Sequence, residues 1–268
     1  MMIEPRISAG IAVVTGASSG IGEAAAMQLS TAGFHLVLIA RRRDRLEKLQ
    51  SKLRKSGGQA DFICSDLSQE ESYSAIADQV KNIGAPIDVL LNNAGFGWYG
   101  FGDEMPWSVA RSMLAVNVQA VTGLTLQFLP EMKRVNHGHI INVGSIVASI
   151  PSQGVALYGA TKAFLDGFTT SLYRELVNTG VNVSVVRTGA VRTPFFKKVA
   201  AHSGSGVIPF QRLAVQPETV ARRILELLKK PKRAIYVPRL LWVVPWIEMY
   251  FGWFIDRLGP RLLRSSRF

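Results

Sequence analysis

Short apolar, β-branched runs alternate with stretches of helical period along most of the chain. The runs are IAVVT from Ile11, HLVLIA from His35, ADFIC from Ala60, DVLLNN from Asp88, HIINVG from His139, NVSVVRT from Asn182 and AIYVP from Ala234. Their continuous apolar character, as opposed to strict alternation, marks strands covered on both faces. Helices are predicted from Glu23 to Ala32, around Arg42 to Lys55, from Ser68, after Pro106 and from near Pro217. At Ser68 the spacing to Glu71 is that of a capping box. Alternation of this kind predicts an α/β fold with a doubly wound parallel sheet of about seven strands flanked by helices. With 268 residues and no long linker or internal repeat, the expectation is one domain over residues 1–238, followed by an extension at 239–268.

The first run leads into TGASSGIG, Thr15 to Gly22. Between a strand and a helix, this loop is a phosphate cradle of the Rossmann type. Gly16 permits the tight turn, Gly20 admits the backbone to a pyrophosphate, and Gly22 allows close helix packing. A glycine triplet alone is a weak motif, and its place between strand and helix strengthens it. The second strand ends in Ala40 and then Arg41, Arg42 and Arg43. A carboxylate at that end would accept hydrogen bonds from a free ribose diol and repel a 2′-phosphate, whereas a guanidinium grips the phosphate. Arg41 and Arg42 therefore predict NADP(H) over NAD(H), while Arg43 reads as the solvated start of the next helix. Asp66, after the third strand, either accepts from an adenine amino group or serves as a turn residue, and Leu67 could pack on the adenine ring.

Reduction of a carbonyl by hydride leaves charge on oxygen, so a proton donor and a hydrogen-bond partner for that oxygen are needed. YGATK supplies Tyr158 and Lys162 at i, i+4, on one face of a helix. A nearby ammonium is expected to favour the phenolate. Ser145 follows the fifth strand and NNAG, Asn92 to Gly95, ends the fourth, so both sit at the carboxyl edge of the sheet.

Taken together, TGASSGIG, NNAG, Ser145 and YGATK occur in the order and spacing of the short-chain dehydrogenase/reductase family, which the chain closely resembles from about Gly10 to Leu228. The resemblance implies Tyr158 as general acid/base, Ser145 as the residue orienting substrate oxygen, Lys162 as ribose contact and pKa tuner, and Asn117 as holder of a relay water. It also implies cofactor contacts at Gly16, Ser18, Ser19, Gly20, Ile21 and Gly22, at Asn93, Ala94 and Gly95, and at Thr188, Gly189, Val191 and Thr193. Dimers or tetramers are common in the family, so a homo-oligomer is expected. The chain departs from the family in reading Arg187-Thr188-Gly189 where Pro-Gly is usual, which should loosen that turn slightly. A catalytically silent dinucleotide-binding or membrane-associated interaction protein on the same fold is the alternative.

Other signals add less. Cys64 is the only cysteine; it reads as an apolar filler on a strand, in a reducing compartment. No signal peptide is apparent, so a cytoplasmic location is expected. His137 and His139 form an H-x-H pair with no completing ligands, so no metal is expected. Phe96, Trp98, Tyr99 and Phe101, with Phe195, Phe196, Ile208 and Phe210 in an insertion over about 190–215, would line a closing apolar pocket for a lipophilic ketone, aldehyde or alcohol.

The net charge is +12, and the residues from Lys229 onward hold nine Lys and Arg against Glu248 and Asp256. Charge is thus concentrated at the end of the chain, around LLWVVPWIEMYFGWFI, Leu240 to Ile255. Sixteen residues interrupted by Pro245 and Glu248 fall short of the roughly 20 that span a bilayer. Trp242, Trp246, Tyr250 and Trp253 fall on one helical face, and Arg257, Arg261, Arg264 and Arg267 follow. That pattern suits peripheral contact of residues 240–268 with the cytosolic face of an anionic membrane, although a second subunit or the substrate loop could cover the same face. No nucleic-acid recognition fold accompanies the basic tail.

Overall fold

The protein is described by a computed structural model covering residues 10–195 and 214–264, with only the backbone described for Ile255 and for residues 258–264. The apolar runs become seven parallel strands: β1 Ile11–Thr15, β2 His35–Ala40, β3 Ala60–Cys64, β4 Ile87–Asn92, β5 Gly138–Ser145, β6 Val181–Thr188 and β7 Ala234–Val237. They form one sheet in the order β3-β2-β1-β4-β5-β6-β7. The order reverses between β1 and β4, so the chain leaves in opposite directions from two adjacent strand ends. A crevice at the carboxyl edge results, the position at which doubly wound sheets bind ligands.

The continuous apolar character of the strands follows from their burial on both faces. On one face Val14, Leu36, Leu38 and Val186 pack with Ala25 and Leu29 of α1 (Gly20–Thr31), Leu46 and Leu53 of α2 (Arg43–Lys55) and Val220 and Ile224 of a helix over Pro217–Lys229. On the other, Val13, Val37, Leu90 and Ile140 pack with Ile76 of α3 (Glu71–Lys81), Leu124 and Phe128 of the helix after Pro106, and Leu172 of a helix over Ala156–Glu175. In chain order, α4 is Trp107–Leu114, α5 is Ala120–Arg134, α6 is Ala156–Glu175, α7 is Pro217–Lys229 and α8 is Val244–Arg264.

α4 and α5 are one continuous helical rod joined by a π-helical turn, Ala115–Gln119. Of the described residues, only this rod, Trp107–Arg134, is long and apolar enough to cross a bilayer, and it lies on the sheet with Val121, Leu124, Phe128 and Met132 buried.

Two local expectations are corrected. The capping-box reading puts the third helix at Ser68, but α3 begins at Glu71. Asp66 Oδ1 accepts the Ser68 N–H at 3.0 Å and closes a turn first, and Tyr73 donates its hydroxyl to the Leu67 carbonyl at 3.2 Å to hold that turn down. The filler reading of Cys64 also fails, because Cys64 ends β3 exposed, its thiol donating to the Arg41 carbonyl at 3.3 Å.

Candidate active site

The glycine loop and the NNAG loop meet at the switch point, and Thr15 clamps them together. Its hydroxyl donates to Leu91 O at 3.2 Å and accepts the N–H groups of Asn93 and Ala94 at 2.9 and 3.0 Å. The Asn93 side-chain amide returns the contact, donating to Thr15 O at 2.9 Å. Asn93 is thereby committed to holding the loop. Gly16 has φ +66, a backbone that L side chains rarely adopt. A Cβ on Gly22 would stand 2.5 Å from both Gly16 O and Asn93 Nδ2, so only glycine lets the start of α1 sit under the loop. Ser19 caps α1 without a side-chain bond, which leaves the first-turn N–H groups free for an anion.

Arg42 lies across this loop. Its Nη2 donates to Ser18 Oγ at 2.7 Å and Ser19 Oγ at 2.9 Å, and its Nε to Ser18 Oγ at 3.2 Å. Burial, then Arg45, weakens its hold on the proton, with Asp44 opposing. Arg41 points away toward Asp66, 3.9 Å distant and exposed. Of the two arginines, Arg42 is the one beside the phosphate cradle. Leu67 is buried in the core beneath α3 and α5. Ile21 packs partly buried on the opposite core.

Ser145 ends β5 opposite Thr188 of β6, buried, its Oγ accepting the Val147 N–H at 3.4 Å. Tyr158 and Lys162 come from the first turns of α6 and present one face toward it. Tyr158 lies close enough to Ser145 for the serine side chain to favour its ionised form. Lys162 is buried, its Nζ donating to Val143 O at 2.9 Å and lying 5.8 Å from the Tyr158 ring centre.

In the protein alone, burial dominates the proton affinity of Tyr158. Burial pushes Tyr158 up to about 12, against a smaller downward pull from Ser145, and burial lowers Lys162 to about 8, against Asp166. The low-dielectric pocket favours the neutral form of both groups, and the lysine already has a carbonyl partner.

Asn117 sits at the centre of the π turn with no exposure. Its Oδ1 accepts the Phe96 N–H at 3.1 Å, and its Nδ2 donates to Phe96 O at 2.9 Å and to Thr161 Oγ1 at 3.1 Å. Helix distortion and site assembly are therefore the same feature: the wider turn delivers an amide that fixes the loop after NNAG against α6. A Cβ on Gly95 would come within 3.0 Å of Asn117 Oδ1 and 3.6 Å of Lys162 Nζ. Gly95 thus packs between two candidate catalytic side chains.

At the other wall, the Thr188 N–H and C=O lie in the β6 ladder and its hydroxyl donates to Gly144 O at 3.3 Å. Gly189 donates its N–H to Val237 O at 2.9 Å. Thr188, unlike proline, can keep an N–H in the ladder up to the end of β6. Val191 bridges Val215, drawing together the two ends of the insertion, and Thr193 Cγ2 leans to 2.8 Å from where a Cβ on Gly20 would stand. Phe195 lies over Tyr158, ring centres 5.7 Å apart. Phe196, Ile208 and Phe210 lie outside the described residues.

Tyr99 lies against Gly154, and Phe96, Tyr99 and Phe101 are partly exposed. Trp98, expected in the pocket, is instead buried against Gly100, because the loop folds back on itself.

The two histidines diverge. His137 is exposed, 3.0 Å from Asp88. His139 is buried with Nε2 2.7 Å from Ser184 Oγ, and burial lowers it to about 3. No group of three or more His, Cys, Asp or Glu suited to a metal occurs among the described residues.

Sequence reading missed a buried polar ladder under the site. Asn92 donates to Thr125 Oγ1 at 3.3 Å and to Asn142 Oδ1 at 2.9 Å, and Asn142 donates to Thr169 Oγ1 at 2.9 Å. It ties α5, β4, β5 and α6 together. Asn92, the first residue of NNAG, thus serves the frame.

A family description, short chain dehydrogenase, matches residues 10–204. An oxidoreductase of Staphylococcus saprophyticus is 31% identical over 227 residues, spanning 84% of this chain and 92% of its own. A fatty acyl-CoA reductase of Acinetobacter baylyi is 28% identical over 99% of this chain and 89% of its own. Among solved structures, a metagenomic short-chain oxidoreductase in complex with NADP is similar at TM-score 0.74 and 32% identity, covering 86% of this chain and 97% of its own. The fold is shared at TM-score 0.83 and 24% identity, over 94% and 96%, with a Burkholderia phymatum enzyme in complex with NAD. The matched region carries the glycine loop, NNAG, Ser145 and the Tyr158–Lys162 face, and the chain belongs to the short-chain dehydrogenase/reductase family of oxidoreductases.

Proposed function

We propose that the protein is an NADP(H)-dependent reductase of lipophilic carbonyl compounds, working as a homo-oligomer and touching a membrane through residues 240–268. The observation that carries the reading is the convergence of Ser145, Tyr158 and Lys162 on one crevice whose phosphate end is crossed by Arg42. When bound, the cofactor supplies the hydride that adds to the carbonyl carbon. Tyr158 donates its proton to the carbonyl oxygen, which it can do because burial keeps the phenol protonated. Ser145 orients that oxygen from the opposite side. Lys162, released from Val143 O or shared with it, holds ribose hydroxyls and offsets charge as the tyrosine gives up its proton. Asn117 clasps the loop after NNAG and holds the water that resupplies the proton. Asn93 to Gly95, Gly189, Val191 and Thr193 line the cofactor crevice, with Asp66 and Leu67 at its adenine end.

The phosphate preference rests on Arg42, with Arg41 as an outer charge. A lipophilic substrate is supported by Phe195 over Tyr158 and by the partly exposed Phe96 and Tyr99 on the loop after NNAG. The similarity to a fatty acyl-CoA reductase along nearly the whole chain points the same way. The test is consumption of NADPH with a series of ketones and aldehydes of rising chain length. Tyr158→Phe should abolish turnover and keep NADPH binding; wild type that binds NADPH and reduces nothing in the series overturns the reading.

A further inference from the structure

The C-terminal helix α8 is rooted at the edge that carries the candidate reaction residues. Its lead-in is a 3-10 turn, Arg239–Val243, directly after β7. Leu241 of that turn stands 2.9 Å from the position of a Cβ on Gly189, next to the paired ends of β5 and β6 at Ser145 and Thr188. Among the described residues, α8 packs substantially only on that turn. It extends from the rim of the crevice, not from the far side of the sheet.

Of fourteen large hydrophobic side chains exposed among the described residues, nine lie between Leu240 and Phe254. Such clustering separates this surface from the scattered apolar residues of an ordinary exterior. At 3.6 residues per turn, Trp246, Tyr250, Trp253 and Phe254 fall on one stripe. Trp246 and Tyr250 stack at 6.3 Å within it. Arg257 continues the same stripe one turn on, while Glu248 lies opposite, its carboxylate folded over Gly252. Apolar rings followed by arginine are suited to a boundary between acyl chains and headgroups.

Charge decides between a bilayer and a second copy of the chain. From Arg239 onward, past β7, the chain holds five arginines against Glu248 and Asp256. A copy docked on this face would bring the same excess against itself, whereas an anionic lipid surface neutralises it.

We propose that α8 docks on an anionic bilayer, turning the mouth of the crevice toward the lipid, so that the carbonyl substrate is drawn from the membrane and not from water. The substrate part of this proposal rests on the carbonyl-reductase reading; the docking part stands on α8 alone.

The test compares the full chain with a variant carrying Trp246→Glu, Tyr250→Glu and Trp253→Glu, all exposed and outside the catalytic set. Both are mixed with vesicles of phosphatidylcholine, with and without phosphatidylglycerol, at low and high salt. The wild type should sediment with the anionic vesicles, less so at high salt, and the variant should bind at least about tenfold more weakly. A long-chain aldehyde dissolved in the vesicles should be reduced about tenfold more slowly by the variant, with a short, water-soluble aldehyde reduced equally by both. Equal vesicle binding by the two proteins overturns the docking. So does a wild type that ignores vesicles and forms an oligomer that the variant cannot form. Binding with equal reduction of the vesicle-borne aldehyde by both overturns the delivery route. If neither aldehyde is reduced while vesicle binding follows the expected pattern, the carbonyl-reductase reading and the delivery route fail and the docking stands.

Discussion

Arg187 and Asp166 form a largely buried ion pair between β6 and α6, Nε to Oδ2 at 2.9 Å, with side chains 16% and 15% exposed. Arg187 comes from β6, where it also donates to the Tyr236 hydroxyl of β7. Asp166 comes from α6, one turn after Lys162 and two after Tyr158. The pair therefore fixes the helix of the reaction residues to the strand whose end carries Thr188. Burial raises the Asp166 pKa, and Arg187, Lys162 and Arg233 oppose it. Its second oxygen, Oδ1, is buried without a hydrogen bond.

Removing Arg187 strands that carboxylate. Arg187→Ala is expected to cost about 3–5 kcal/mol at neutral pH, the range for breaking one side of a buried pair. The sign with pH is definite. The folded-state pKa of Asp166, already raised, rises further without Arg187, so the folded variant takes up a proton more readily than the unfolded chain. Its deficit relative to wild type should shrink on acidification below the raised pKa. Urea denaturation of both proteins at neutral and mildly acid pH measures this; a deficit that is constant with pH would show that Asp166 does not become the stranded charge.

The contrast between what the residues announced and what they concealed has a physical cause. The strands were legible because burial on both faces leaves continuous apolar runs, and the cradle because Gly16 and Gly22 answer to local constraints. Arg187 read only as the residue before the missing proline. Its partner Asp166 lies 21 positions away, and nothing periodic links the two. The Thr125–Asn92–Asn142–Thr169 ladder is hidden for the same reason, its bonds joining residues 27 to 50 positions apart. Asn117 was recognised for its family role, while its clasp on Phe96 depends on a π turn that hydrophobic spacing does not mark. Trp98 and Cys64 misled in opposite directions, since loop folding and strand length decide their exposure and residue type does not.

The clasp predicts a graded result. Asn117→Asp keeps an acceptor for the Phe96 N–H but loses the donor to Phe96 O and Thr161. Buried groups left without partners cost about 1–3 kcal/mol each. The variant should melt at lower temperature and bind NADPH more weakly, because the loop carrying Gly95 is freed. Thr161→Val removes only one of these contacts and should show a smaller change of the same sign in both measurements.

Lys162 predicts opposed effects on stability and turnover. Its pKa is lowered by burial from 10.5 to about 8. Below about 8 the ammonium is charged in both states and its burial penalty is in full force; between the two values the folded state holds fewer protons, so stability rises with pH. Lys162→Met removes a penalty of about 3 kcal/mol by this linkage and forfeits about 1.5–3 kcal/mol for the charge-assisted bond to Val143 O. A net gain of about 0–1.5 kcal/mol is expected, with loss of turnover. In the wild type, kcat/KM for carbonyl reduction should be level below about pH 8 and fall above it as the ammonium is lost, with Tyr158 protonated throughout. A Lys162→Met protein less stable than wild type at neutral pH would contradict the burial argument.

Arg42 and Arg41 make separable predictions for cofactor choice. Arg42 reaches Ser18 and Ser19 on the phosphate cradle, whereas Arg41 is exposed and 3.9 Å from Asp66. Charge-assisted bonds to a 2′-phosphate are worth about 1.5–3 kcal/mol, and a solvated charge at longer range about 0–1 kcal/mol. Arg42→Ala should therefore weaken NADPH binding by about ten- to a hundredfold and leave NADH nearly unchanged. Arg41→Ala should cost no more than about fivefold, and less at high salt. Dissociation constants for both nucleotides, measured by protein fluorescence on the two variants, decide the matter. Equal losses for NADPH and NADH in Arg42→Ala would mean that the residue only braces the glycine loop, and the preference for the phosphorylated cofactor would then have to come from Arg41.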